Sequence, residues 1–395
     1  MSCEWPAGSP LQPRPISRIL EDEAMHAYWI EPFAPLVFRS GKPFGAGSRD
    51  GANFPWPSSF AGLMRTTHAQ STGIPDQYDV EALKQLAAAG PFLAKRRGLQ
   101  TILYVPKPRD AVYLAGENDA KTAIYRLYPG DFPQDAGADL PDGLEPVIME
   151  PEAPKGKPKK GPGFWPLSKM IAWRCQRPIS YAELEDIDLL LSLRTHVALD
   201  RSTRAADPGR IFQTEGWSFG RRKVATGGFA DDIWGLVGLF SRQIQGDAVC
   251  FGGERRLSWL EPIDKTAFMI SDADCRVIEE AVHKSKRIAF TFVTPAAFSE
   301  GWRPAWANGQ RDVPDLSGLR LRLCAATLDR WVGHSGWDLA FKKPRPARAL
   351  VPAGATYWFE VLSMPEDAIR KLWLASVCDD PQDRLDGFGL VVPGI

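Results

Sequence analysis

Five histidines, His26, His68, His196, His283 and His334, are the side chains best suited to proton transfer near neutral pH, and they are scattered along the chain. No H-E-x-x-H, G-x-S-x-G or complete phosphate-binding loop accompanies them. Gly41 and Lys42 are followed by Pro43, where a phosphate loop needs Ser or Thr. Gly45 and Gly47 lack the strand–turn–helix setting of a dinucleotide fingerprint. A general acid–base pair requires two groups to meet in space, and His26 and His68 would do so if their strand and helix pack together, a lone structural histidine being the commoner use of each. The six cysteines, Cys3, Cys175, Cys250, Cys275, Cys324 and Cys378, form no C-x-x-C pair, which argues against a zinc site or a small disulfide framework. The expectation is a chain without catalytic residues, metal or cofactor.

The positive signal is cationic. Basic clusters stand at 95–97, 155–160, 201–210, 221–223, 255–256, 284–287 and 342–348, several beside glycine. Acidic residues concentrate elsewhere, at 21–23, 183–188 and 379–383. Lys+Arg and Asp+Glu are both 48, so there is no net positive excess to announce a polyanion binder. Segregation restores the idea, because charges act over a Debye length of about 10 Å at 0.1 M salt. Lysine and arginine on glycine-bearing loops suit phosphates, since glycine lets backbone N–H groups approach closely. The run KGKPKKGPG at 155–163, with Lys155 and Lys157, is read as mobile until something binds it, for want of an anchoring hydrophobic group. It serves equally well as a phosphate contact or as a solvated surface loop.

These loops need a scaffold. With 395 residues, 44% apolar and 24% charged, the chain can bury a substantial core, and its length favours two domains. The 34 prolines and 35 glycines indicate many turns on a strand-containing frame. No apolar run approaches the roughly 20 residues of a membrane helix, and the N-terminus lacks the order of a signal peptide, so a soluble cytoplasmic protein without membrane contact is expected. Residues 1–24 read as a flexible tail. A strand at 28–38 leads through the glycine-rich loop 40–53 to a helix capped by Ser58 or Ser59. Strands at 101–105 and 111–114 read as a hairpin, 123–128 as a further strand, and 181–193 as a short acidic helix. Strands are expected at 195–199, 288–293 and 319–325, with an arginine-bearing loop at 200–210 that holds Arg201 and Arg204. At the C-terminus a strand at 356–361, a helix at 366–378 and a glycine-led strand at 387–392 close as a split βαβ unit does. The fold class is α+β: two packed ferredoxin-like domains with long loop insertions, at 25–193 and 194–395.

Four segments carry a resemblance. PLVFRSGKPFGAG…FPWPSSFAGLMRT (35–66), FGGERRLSWLEP (251–262), GWDLAFKKPRPARALVPAGATYWFE (336–360) and GFGLVVPG (387–394) resemble the repeat-associated mysterious proteins (RAMPs) of CRISPR systems. More narrowly, they are similar to the type III-B (Cmr) subunit that holds the 5′ tag of the CRISPR RNA. The resemblance implies a subunit that binds the eight-nucleotide tag and contacts the large polymerase-like subunit and a neighbouring backbone RAMP subunit, without cleaving RNA. It implies phosphate contacts at Arg39 and Lys42, with Arg65 either a third or paired with a carboxylate. Phe44 and Trp56 would stack on a splayed base, core packing being the other use of Trp56. Gly252 and Gly253 would allow a tight backbone approach, Arg255 and Arg256 would reach RNA, and Glu254 would orient an arginine. Lys342, Lys343, Arg345 and Arg348 would form a stiff cationic edge. Gly387, Gly389 and Gly394 would let the final strand lie against RNA or against the first helix, a close-packed turn being the other use of these glycines. Two other readings stand beside this one: a metal-independent guide-processing endoribonuclease of the same superfamily, and an assembly adaptor that docks proteins.

Overall fold

The apolar run at 233–240 ends a strand, Phe229–Phe240, at the centre of the larger of two principal sheets. Trp234, Leu236, Val237, Leu239 and Phe240 on it are all buried. It pairs antiparallel with His26–Pro32 on one side and with Ala88–Arg97 on the other. Leu257–Ile263 adds to the far side of His26–Pro32. In chain order these are the first (26–32), second (88–97), third (229–240) and fourth (257–263) strands, and they lie in the spatial order four-one-three-two of a split βαβ sheet. Helix Pro57–Ser71 fills the crossover between first and second, burying Phe60, Leu63 and Met64. Gln100–Pro106, Phe164–Pro166, Asp247–Cys250 and Gly220–Lys223 extend the sheet. The computed structural model describes residues 25–39, 49–50, 52–72, 79–115, 122–132, 134–185, 187, 191–223, 229–338 and 343–395.

The second sheet repeats the order. Arg287–Phe292, Leu316–Thr327, Thr356–Ser363 and Val391–Gly394 are its first to fourth strands, again four-one-three-two, with Asn308–Val313 added at one edge. Here the first crossover (293–315) holds no helix. Helix Asp272–Ser285 instead precedes the first strand, capped by Ser271 Oγ, which accepts from the Asp274 N–H at 3.1 Å. Its buried residues, Cys275, Ile278 and Val282, fall at i, i+3 and i+7, the spacing of a single apolar stripe. The α+β expectation, with two like-ordered units, is met.

Several local expectations are not. The change of sheet falls between Ile263 and Arg287 rather than at 193, because residues 229–263 hydrogen-bond with the N-terminal strands. The stretch from 107 to 228 is thus largely an insertion in the first unit. The strands Gln100–Pro106 and Ala111–Ala115 form no hairpin: the former has both edges taken by Ala88–Arg97 and Phe164–Pro166, and the latter pairs with Thr122–Pro129. Among the described residues of 181–193 only the turn Tyr181–Glu183 is helical, closed by a Ser180–Glu183 capping box, while Leu191–Leu199 is a strand paired with Ala206–Trp217. The expected arginine-bearing loop is therefore a tight turn at a ribbon's tip. The C-terminal helix shrinks to Ala368–Leu372, with a second, Pro381–Asp386, behind it. Trp56, not Ser58 or Ser59, stands at the cap of the first helix, with Pro57 as its first residue.

Candidate functional site

Three of the four matched segments meet the first at one place. The Gly253 N–H donates to the Val37 carbonyl at 2.8 Å, and the Phe38 and Phe251 rings meet edge-on at 5.1 Å, so the loops 37–39 and 251–256 lie side by side. Trp56 Nε1 donates to the Arg39 carbonyl at 3.2 Å, fixing the loop to the helix start. The Trp56 indole lies 4.7 Å from the ring of His334, on the hairpin formed by Val332–His334 and Arg348–Leu350. His334 also meets Phe388 at 5.4 Å, and its Nε2 lies 3.3 Å from Ser58 Oγ. Arg348 stands 5.4 Å from the Phe388 ring and grips Asp383 through two bonds of 2.7 Å. A Trp56–His334–Phe388 stack therefore joins the first loop, the cationic hairpin and the terminal segment.

Around this stack Arg39, Arg255, Lys343 and Arg345 are exposed, on loops that the stack and its hydrogen bonds hold in place. Burial, with the positive Arg348 and Arg345, pushes His334 down to about 4, so it is a neutral packing group at ordinary pH. His68 is lowered too, by burial and then by Arg242, and its ring lies edge-on to Phe240 at 6.2 Å. His26 pairs with the same Phe240 across the sheet, so the two histidines share a neighbour. Among the described residues no group of three His, Cys, Asp or Glu side chains could hold a metal.

A family model described as "CRISPR-associated protein (Cas_Cmr3)" matches residues 28–395, nearly the whole chain. The chain belongs to the Cmr3 family. Solved structures that match the chain include the type III-B Cmr-beta complex bound to cognate target RNA and AMPPnP, at 13% identity, and the same complex bound to cognate target RNA, at 16%. Each match has a TM-score of 0.43 and covers 84% of this chain and 86% of the other. None of the curated proteins matches it.

In this Cmr3-family chain the residues singled out in the sequence divide into rim and interior. Lys42, Phe44 and Lys342 lie outside the described residues, as does the side chain of Glu254. Arg256 is half-buried. Lys155 and Lys157 are exposed, but their loop is anchored: the Lys159 N–H donates to the Tyr113 carbonyl at 2.8 Å, and Tyr113 Oη donates to the Pro162 carbonyl at 2.8 Å. Tyr113 lies outside the loop, so composition alone gives no sign of that anchor. Arg201 and Arg204 are exposed at the tip of the ribbon Leu191–Leu199/Ala206–Trp217. The ribbon's root is tied to the site by a pair of 2.8 Å backbone bonds between Leu36 and Trp217. At about 3.4 Å per residue the tip stands on the order of 30 Å from that root.

The other residues make their contacts within the chain. Arg65 is buried and takes the carboxylate-pairing alternative, bonding Asp386 and the carbonyls of Lys84, Leu86 and Leu385. Gly252 and Gly253 make their close approach to Val37 and Phe38 of the same chain. Gly387 packs against the Ala88 backbone, Gly389 against Cys378 and Gly394 against Arg174, so the terminal glycines take the close-packed alternative. Sequence reasoning gives no role to His334, Asp383, Asp386 or the buried Asp110–Arg174 pair. Their partners lie far off in the chain, 276 residues away for Ser58 and His334, and no local pattern marks them.

Proposed function

We propose that this chain is the non-catalytic subunit of a type III-B Cmr effector that holds the repeat-derived 5′ tag of the guide RNA. It docks on the large polymerase-like subunit and a neighbouring RAMP subunit. One observation carries the reading: the contacts Trp56–His334–Phe388 and Phe38–Phe251 together gather the four matched segments and leave Arg39, Arg255, Lys343 and Arg345 exposed around them. Such a rim supplies phosphate contacts on a rigid base, which is how positioning contacts to a strand backbone are made. The absence of catalysis is supported by His334, which is buried and too weak a base to exchange protons near pH 7. A protein neighbour is supported by an exposed apolar patch of Phe33 (62% exposed), Leu257 (53%) and Trp259 (39%) at the end of the first sheet.

The test is fluorescence anisotropy of a labelled tag RNA against a scrambled strand at two salt concentrations. Tag-preferring binding without cleavage is expected, with affinity falling steeply as salt rises. The Arg39→Ala/Arg255→Ala double variant should bind several-fold more weakly. Equal binding by variant and wild type would sink the rim assignment, and cleavage of repeat RNA would move the reading to the endoribonuclease.

A further inference from the structure

The edges of the two principal sheets are guarded. The larger sheet ends in short strands, Asp247–Cys250 on one side and Phe164–Pro166 on the other. The second ends in Val391–Gly394, with Gly394 packed against Arg174, and in Asn308–Val313, whose pairing is irregular and whose exposed residues are polar. Short length, cover and irregularity are the usual protections of an edge. The ribbon strand Leu191–Leu199 has none of them. It runs for nine residues, LSLRTHVAL, without proline, glycine or lysine, and its pairing is regular from Leu191 to Val197. Among the described residues no strand pairs with its outer side.

The same strand carries a stripe of exposed aliphatic side chains. Alternation puts Leu193, Thr195, Val197 and Leu199 on one face, and the register adds Ile211 opposite Val197. The four aliphatic side chains are between 44% and 62% exposed. A two-stranded ribbon is marginal by itself and gains from further strands. This strand is its own complement. Laid antiparallel on a second copy about a dyad at Thr195, it sets Leu193 opposite Val197 of the other copy, and Val197 opposite its Leu193. One row then reads Ile211, Val197 and the other copy's Leu193 across the junction. Positions two apart direct their backbone groups to the same side, so outward N–H meets outward C=O throughout this register. The charges agree as well. The tip of one copy, with exposed Arg201 and Arg204, points toward the ribbon root of the other, where Glu185 and Asp231 are exposed. Glu185 belongs to that root because it accepts from Tyr104, on whose cluster Ile187 and Trp217 pack.

We propose that the chain pairs with a second copy of itself along Leu191–Leu199, as a two-fold antiparallel dimer centred on Thr195. Two ribbons become one continuous sheet, and the open edge of each closes the other. The interface is small and belongs to the transient class. It is independent of the RNA-holding reading.

The experiment uses the full chain in sedimentation equilibrium at up to about 100 μM, where a weak interface is populated. Wild type should show a monomer–dimer equilibrium. Thr195→Lys sets two like charges face to face at the dyad and should weaken the dimer at least about tenfold. Register is read by Thr195→Cys in a Cys3→Ser/Cys250→Ser background with diamide as oxidant. Two thiols give up two protons and two electrons to the diamide and join as a disulfide. Thr195→Cys should cross-link, whereas Leu193→Cys, which lies opposite Val197 and not its own counterpart, should not. Each variant is first shown to melt like wild type, and if Thr195→Lys does not fold, the cross-link decides. A monomeric wild type, a Thr195→Lys variant that dimerises like wild type, or a cross-link no faster at 195 than at 193 overturns the proposal. If the chain is monomeric and Val197→Ser/Ile211→Ser weakens binding of a labelled single-stranded RNA, the stripe serves RNA instead, self-pairing is overturned and the RNA-holding reading stands.

Discussion

Arg65 Nη1 lies 2.5 Å from Asp386 Oδ1, a pair 321 residues apart in sequence that locks the first helix to the last one. Both side chains are nearly excluded from water, at 11% and 7% exposure. The guanidinium is further held by the Leu86 and Leu385 carbonyls at 2.8 and 3.2 Å, so the charge is compensated on several sides. Removing one partner of such a pair strands the other.

Arg65→Met should therefore destabilise the fold by about 3–5 kcal/mol in urea unfolding. The double variant Arg65→Met/Asp386→Leu should recover part of that loss, because neither charge is left buried alone. Recovery of nothing would mean that the carbonyl contacts, not the ion pair, carry the effect.

The terminal glycines make a steric prediction. Gly387 has φ +86°, and a Cβ there would stand 2.7 Å from the Ala88 carbonyl oxygen. Gly387→Ala should cost about 2 kcal/mol or more, combining backbone strain with displacement of a buried strand. Gly156→Ala, where nothing lies within 4 Å, should stay within about 0.5 kcal/mol of wild type. Thermal melts of the two variants side by side separate packing from composition.

His334 gives stability a pH dependence. Its folded pKa of about 4 lies below the roughly 6.5 of an unfolded histidine, so the unfolded chain takes up the proton first. The contribution is full above pH 6.5 and is lost as pH falls toward 4, amounting to about 3 kcal/mol at most. Asp383, raised by burial against the pull of Arg348, works in the opposite sense. The comparison is thus between wild type and His334→Leu: the variant should show a flatter fall in melting temperature between pH 6.5 and 4. Parallel curves would place His334 in water.

The rim residues should act on RNA through charge alone. Lys343→Ala/Arg345→Ala should reduce the slope of log affinity against log salt by about 0.7 for each phosphate the variant no longer neutralises. Lys155→Ala/Lys157→Ala asks the same of the anchored loop. A slope unchanged in either pair would assign that cluster to the solvated surface.

How much of this is legible in the residues depends on the range of the interactions. The strands at 287–292 and 356–363 are readable because burial and alternation are local properties. Helix 57–71 is readable too, but its cap is not, since Pro57 starts it where a serine is expected to. The sheet boundary is not readable, because strand membership is decided by hydrogen bonds across some 200 residues. Helix Asp272–Ser285 does carry a local signal, the stripe at Cys275, Ile278 and Val282 and a serine cap, which the sequence reading passes over. At the site, exposed arginines can be nominated from sequence, but Arg65 looks no different from them. Only a carboxylate at the opposite end of the chain decides its role.

The strand order of the first unit has a consequence for how the chain is made. His26–Pro32 finds both of its neighbours, Phe229–Phe240 and Leu257–Ile263, only after roughly 200 further residues have been synthesised. At about 5–20 residues per second the nascent first strand waits on the order of 10–40 s with both edges open. Its Tyr28, Trp29 and Ile30 are fully buried in the finished sheet, and in that interval neither flanking strand is there to cover them. The emerging chain thus presents an aggregation-prone strand that its own sequence cannot yet cover, and its yield in a cell should depend on chaperones that hold such edges until residue 263 has left the ribosome.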